Sequence, residues 1–175
     1  MSLDPADNRA APRWTWKRLV LGRRPKVTLI RAAAMLVLAV VVFKFVLIPV
    51  RVDGDSMEPT YRNGSINFIN QWAYRSHPPR RGDVVAVRYA GKSIMLLKRI
   101  IALPGEEVAI VRGQVMINGR PLQEPYLKNP APWQLPPRRL ETNEYLVIGD
   151  NRTMVQSQHL FGAARADRIV GKALW

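Results

Sequence analysis

DVVAVRYAGKSIMLLKRII, residues 83–101, decides the fold. Two apolar runs, Asp83–Tyr89 and Ser93–Ile101, flank Ala90-Gly91-Lys92, and a short glycine-containing connection between such runs closes a β-hairpin. In the second run, strand alternation puts Ile94, Leu96, Lys98 and Ile100 on one face and Met95, Leu97, Arg99 and Ile101 on the other. Similar short runs recur at Ile66–Asn70, Glu107–Val111, Gln114–Asn118, Glu144–Ile148 and Arg168–Leu174. Arg112-Gly113 and Asn118-Gly119 supply turn residues that tolerate positive φ. Proline lacks an amide donor, so His77-Pro78-Pro79-Arg80 and the stretch from Pro125 to Pro137 read as surface connections. The expected architecture is a mainly β, antiparallel domain with consecutive pairing and no long helix over residues 51–175.

Upstream lies a different kind of sequence. Residues 32–50 read AAAMLVLAVVVFKFVLIPV, an apolar run interrupted only by Lys44 and Pro49. A membrane-spanning helix needs about 20 predominantly apolar residues, and Lys44 can extend its ammonium toward the headgroups. Eight basic residues precede the run (Arg9, Arg13, Lys17, Arg18, Arg23, Arg24, Lys26 and Arg31), against Asp4 and Asp7. This flank predicts a single-pass protein with residues 1–31 cytoplasmic, 32–50 as the transmembrane anchor and 51–175 extracytoplasmic, placed in the inner (plasma) membrane. A cleaved signal sequence shares the basic start, but Ile48-Pro49-Val50-Arg51-Val52 offers no small-residue cleavage site. Trp14 and Trp16 suit a tail lying at the membrane interface.

The formal charge of +14 raises the question of nucleic acid. Much of that charge is juxtamembrane, and from Arg51 onward 18 basic residues face 11 acidic ones with no nucleic-acid motif. A lipid bilayer is the expected partner and nucleic acid is not. The chain has no cysteine and only two histidines, His77 and His159, so neither a disulfide framework nor a metal site is expected, and no cofactor is implied.

The chemistry-bearing residues are Ser56, in Gly54-Asp55-Ser56-Met57-Glu58-Pro59-Thr60, and Lys98, in Lys98-Arg99-Ile100-Ile101-Ala102-Leu103-Pro104-Gly105. A serine hydroxyl needs a base within hydrogen-bond reach to act as a nucleophile. Both histidines read as surface residues. A lysine serves only when neutral, and desolvation in an apolar row favours that form. From position alone, Lys98 is equally readable as a rim lysine with its stem packed and its ammonium in water.

These two motifs, in this order behind an N-terminal anchor, resemble the bacterial type I signal peptidases, from the anchor to about residue 170. The resemblance implies a membrane-anchored serine endopeptidase of signal peptidase fold, with Ser56 as nucleophile and Lys98 as general base. It implies removal of signal peptides from exported preproteins after Ala-x-Ala-like sites. Met57, Tyr61, Leu96 and Leu97 fall where the family lines its shallow substrate pockets, and the Ser56 amide is the implied oxyanion donor. Gly149-Asp150-Asn151-Arg152 and Phe161-Gly162 match the family's final box, in a supporting role. Within that box Val155 replaces a serine that orients the lysine, and Ser157 and His159 replace an Asp and an Arg that pair. Thr153 or Ser157 is the candidate substitute hydroxyl. Alternative readings are a pilin-maturing peptidase of conjugative transfer and an impaired paralogue that binds signal-peptide-like segments without cutting them. The oligomeric state is left open.

Overall fold

The computed structural model describes residues 24–90, 94–127, 132–159 and 162–174. Expectations for the tail up to residue 23, for Gly91-Lys92 and for Phe161 fall outside the described residues.

Helix α1 spans Pro25–Phe45. Proline suits a helix start, where its missing amide has no intrahelical acceptor to lose. Leu29, Ile30, Met35, Leu36, Val37 and Leu38 are exposed, and no residue of the helix is buried in the protein. A helix apolar all round and unburied is matched to lipid rather than to a protein core, and this one is long and apolar enough to cross a membrane. The helix differs from the expected 32–50 at both ends. It starts earlier, and the end of the apolar run is strand β1, Leu47–Arg51. Pro49 cannot continue a helix interior but is accommodated in β1, which lies at a sheet edge.

The rest is antiparallel β. The strands are β2 (Ile66–Asn70), β3 (Val84–Ala90), β4 (Ile94–Ala102), β5 (Glu107–Val111), β6 (Gln114–Ile117), β7 (Arg120–Pro121), β8 (Leu135–Arg139), β9 (Glu144–Ile148), β10 (Gly162–Arg165) and β11 (Ile169–Ala173). A seven-stranded sheet runs β1-β2-β11-β3-β4-β9-β10, and a four-stranded sheet runs β7-β6-β5-β8. Arg112-Gly113 and Asn118-Gly119 close tight hairpins with both residues at positive φ (50° and 83°; 50° and 76°), the geometry that matches strand twist.

Consecutive pairing holds within hairpins but fails where β11 inserts between β2 and β3, where β9 pairs with β4 and where β8 pairs with β5. Turn chemistry dictates only neighbours in sequence, and no local signal reports a strand arriving from the C-terminus. Strands β1, β7, β8 and β10 were also not expected. Strand β8 carries Pro136 and Pro137 on the outer edge of the smaller sheet, so part of the proline-rich stretch is strand after all.

Strand β4 feeds every part of the core. Met95 and Leu97 pack with Val52, Met57, Tyr61 and Ile69. Ile100 packs with Val85, Tyr145 and Val147, while Ile101 and Ala102 join Val108, Ile110, Trp133 and Ile148. Each fully buried aliphatic side chain contributes about 1.5–3 kcal/mol, which makes β4 a rigid platform for whatever it carries.

The insertion of β11 depends on Gly171. A side chain there would overlap the Asn70 carbonyl and meet Ile69 Cγ2 at 2.9 Å. Gly171→Ala should therefore lower stability by about 1–3 kcal/mol, read as a shift in a urea or thermal unfolding midpoint of the detergent-solubilised protein.

Candidate active site

The loop after β1 places Ser56 by its neighbours. Gly54 takes φ 94°, a conformation glycine adopts freely, and its amide donates to Asn63 Oδ1 (3.2 Å). The amide of Glu58 donates to the Asp55 carbonyl (3.1 Å) and that of Tyr61 to Met57 (3.0 Å), winding residues 55–61 into turns. Met57, 1% exposed, inserts into the core beside Tyr61 and pins the loop immediately after the serine.

Lys98 lies mid-strand in β4, opposite Val85. It is 2% exposed, which rules out the rim reading, and its Nζ donates to Ser56 Oγ at 2.8 Å. Burial pulls the amine's pKa down to about 8, against a smaller opposing pull from the Asp150 carboxylate.

Asp150 is tied down by others. Arg99, the next residue on β4, forks onto both its oxygens (2.8 and 2.6 Å), and Thr60 Oγ1 donates to Oδ2 (2.5 Å). Arg99 also donates to the Gly82 carbonyl (2.8 Å) and stacks over Tyr126 at 4.0 Å. Because this carboxylate is already satisfied by a guanidinium fork, it exerts only the weaker influence on Lys98.

Asn151 binds the serine loop twice. Its amide donates to the Ser56 carbonyl (3.0 Å), and its side-chain Nδ2 donates to the Asp55 carbonyl (3.0 Å). The Asp55 carbonyl and the Ser56 amide belong to one planar peptide unit, so the second bond orients the Ser56 N–H. Gly149 permits this closeness, since a side chain would overlap the Ser56 carbonyl. Arg152 is buried, donating to the Gly149 carbonyl (2.9 Å) and Glu124 (2.7 Å). The segment Gly149–Arg152 is thus the clamp on the serine loop.

Two depressions meet at Leu96. One is lined by Ser56, Met57, Leu97, Ala86 and Met95, and the other by Lys98, Val87, Tyr89 and Val147. Tyr61 lines neither; its ring is buried in the core beside Met57. Sequence reasoning missed Ala86 and Met95. Ala86 was legible through hairpin register, because it pairs with Leu97.

The histidines divide. His77 is half-buried beside Tyr74 and the Pro78 carbonyl, whereas His159, expected at the surface, is 4% exposed. Burial, with Lys98 and Arg152 nearby, lowers its pKa to about 4. The apolar wall of Trp133, 4.9 Å away edge-on, explains why a polar-looking sequence segment turns inward here. Val155 is 62% exposed and Ser157 is exposed, while the Thr153 hydroxyl donates to Asn151 Oδ1 (2.6 Å). Thr153 is therefore occupied with the clamp, and the side chains of Val155 and Ser157 face solvent.

The family model described as signal peptidase, peptidase S26, matches residues 26–175. The chain belongs to that family. A signal peptidase I of Leptolyngbya laminosa is 34% identical over 146 residues, spanning 79% of this chain and 72% of the relative. Signal peptidase IB of Staphylococcus aureus is 31% identical over 162 residues, spanning 82% and 84%. A crystal structure of a signal peptidase I from Enterococcus faecalis V583 is 25% identical with a TM-score of 0.45, covering 54% of this chain and 95% of that one. Membership makes this chain a peptidase of the signal peptidase kind, with a mainly antiparallel β domain behind one apolar helix.

Replacing Asp150 tests how the ion pair and the amine are linked. Asp150→Asn removes the charge that favours the Lys98 ammonium, so the lysine should titrate below about 8, followed by 13C NMR of the Lys98 side chain. It also strands the mostly buried Arg99 guanidinium, and losing one partner of such a pair costs about 3–5 kcal/mol; urea unfolding reads that loss.

Proposed function

We propose that this protein is a membrane-anchored serine endopeptidase of the signal peptidase I type that removes N-terminal signal peptides from exported preproteins. The observation that carries the reading is the 2.8 Å contact between a desolvated lysine amine and a serine hydroxyl. Free lysine is neutral in only about one molecule in a few thousand at pH 7, whereas a pKa near 8 leaves about a tenth of the molecules with a base. That gain makes a lysine workable as the general base.

In this reading neutral Lys98 takes the Ser56 proton as Oγ attacks the scissile carbonyl. The oxyanion that forms faces the Ser56 amide, oriented through Asn151, and such preorganised donors contribute a large share of rate enhancement. Collapse of the intermediate breaks the peptide bond, the Lys98 ammonium protonates the departing amine, and the acyl group stays on Ser56. Neutral Lys98 then deprotonates a water that releases the signal peptide and regenerates the serine. Met57, Leu96 and Leu97, with Ala86, line the shallow ground for the small side chains of an Ala-x-Ala-like site, and Tyr61 supports that floor from below. Gly149, Asp150, Asn151 and Arg152 hold the two halves together.

The same reading gives the α1 helix the role of anchor in the inner membrane, the residues that precede it a cytoplasmic location and residues 51–175 an extracytoplasmic one. The basic flank sets that orientation. Protease added to intact spheroplasts should digest the β domain, followed by immunoblot, and full protection would overturn the orientation.

Ser56→Ala and Lys98→Ala should each lower cleavage of a secretory preprotein at least about a thousandfold, with little further loss in the double variant, because the pair acts as a unit. Lys98→Arg should be equally inactive, since guanidinium does not deprotonate. The neutral amine is the working form, so the wild-type rate should rise with pH, level off above about 8, and fall as pH drops below it. Retained cleavage by Ser56→Ala, or a flat profile across that range, would sink the Ser/Lys mechanism.

A further inference from the structure

The buried His159 has no part in the proposed proton transfers, yet it reaches the nucleophile's own backbone. A methyl group at Gly149 would fall 2.7 Å from His159 Nε2 and 2.8 Å from Cε1, and would also overlap the Ser56 carbonyl. The imidazole and the serine loop therefore meet across a gap that only glycine leaves open, with the ring's Nε2 on the side of the Ser56 carbonyl. Trp133 abuts its edge at 4.9 Å, and Trp133 Nε1 donates to the Met154 carbonyl (3.0 Å), holding the segment that delivers the histidine. The His159 amide donates to the Gln156 carbonyl (3.2 Å), closing the turn behind the ring.

We propose that His159 is a positioning residue for Ser56, a neutral ring that shares the Ser56 carbonyl with the Asn151 amide and so fixes the nucleophile against Lys98. This rests on the Ser/Lys reading above. A carbonyl oxygen has two acceptor directions; with the Asn151 amide on one and the imidazole on the other, the Ser56–Met57 peptide plane cannot rock. The charged groups facing the ring are Lys98 from β4 and Arg152, itself paired with Glu124. Two cations beside a buried ring make a neutral side chain the workable donor at this position. With Val155 and Ser157 facing solvent, this clamp on the serine takes the place of a hydroxyl on the lysine.

The test compares His159→Phe, which keeps a flat ring without a donor, with His159→Gln, which restores an amide donor. In purified full-length protein, His159→Phe should lower kcat on an Ala-x-Ala peptide about tenfold or more with KM within about twofold, and His159→Gln should recover part of that loss. Wild-type kcat in His159→Phe, or equal loss in both variants, overturns the proposal. If His159→Phe does not fold, 15N NMR of wild type decides. A neutral ring with a protected N–H at pH 7 supports the role, and a fast-exchanging ring titrating near 6.5 overturns it. Ser56→Ala and Lys98→Ala run alongside. If those variants cleave normally the Ser/Lys reading has failed, whereas inactive controls beside an active His159→Phe mean that the positioning role alone has failed.

Discussion

A lysine amine held out of water at hydrogen-bonding distance from a serine hydroxyl is the constraint around which this molecule is arranged. Lys98 is 2% exposed and its pKa falls to about 8 because water is excluded. An amine in that position must be surrounded by a wall that does not give way. Strand β4 supplies the wall, since its other side chains enter every part of the core: Met95 and Leu97 in one cluster, Ile100 in another and Ile101 in a third. Loosening any of these would admit water and let the lysine's pKa climb back toward its ordinary value, shrinking the neutral fraction.

The neighbouring residue solves a second electrostatic problem. Arg99 brings a permanent cation to the same strand, and its bidentate bond to Asp150 neutralises it within a shell closed by Thr60 and Tyr126. The carboxylate is spent on the guanidinium, so it restrains but does not cancel the desolvation of Lys98. Asp150 also begins the segment whose next residue, Asn151, grips the Asp55 and Ser56 carbonyls. Charge balance on β4 and the placement of the serine loop are thus carried by adjacent residues of one short turn.

Scaffold and anchor follow separate rules. Helix α1 is apolar on all sides and unburied, whereas the β domain alternates faces and buries one of them. The break between the two behaviours comes at Phe45, where the chain turns from helix to the edge strand β1 and Pro49 becomes tolerable. The serine loop leaves that edge strand directly.

The sequence by itself determined the local rules: hairpins at Arg112-Gly113 and Asn118-Gly119, the β4 alternation that aims Lys98 and Arg99 to opposite sides, and an apolar helix near the N-terminus. Ser56 and Lys98 were singled out by motif and by resemblance, since nothing in the local pattern brings them together across 42 positions. Only tertiary structure decided where β11 pairs, that β8 forms despite its prolines, that Tyr61 faces the core rather than the depression, and that His159 is buried. Each of these depends on which distant surface is available to receive a segment. Periodicity and turn chemistry act over a few residues, whereas Gly149 admits His159 to the serine's backbone through a contact that exists only after the sheets have closed.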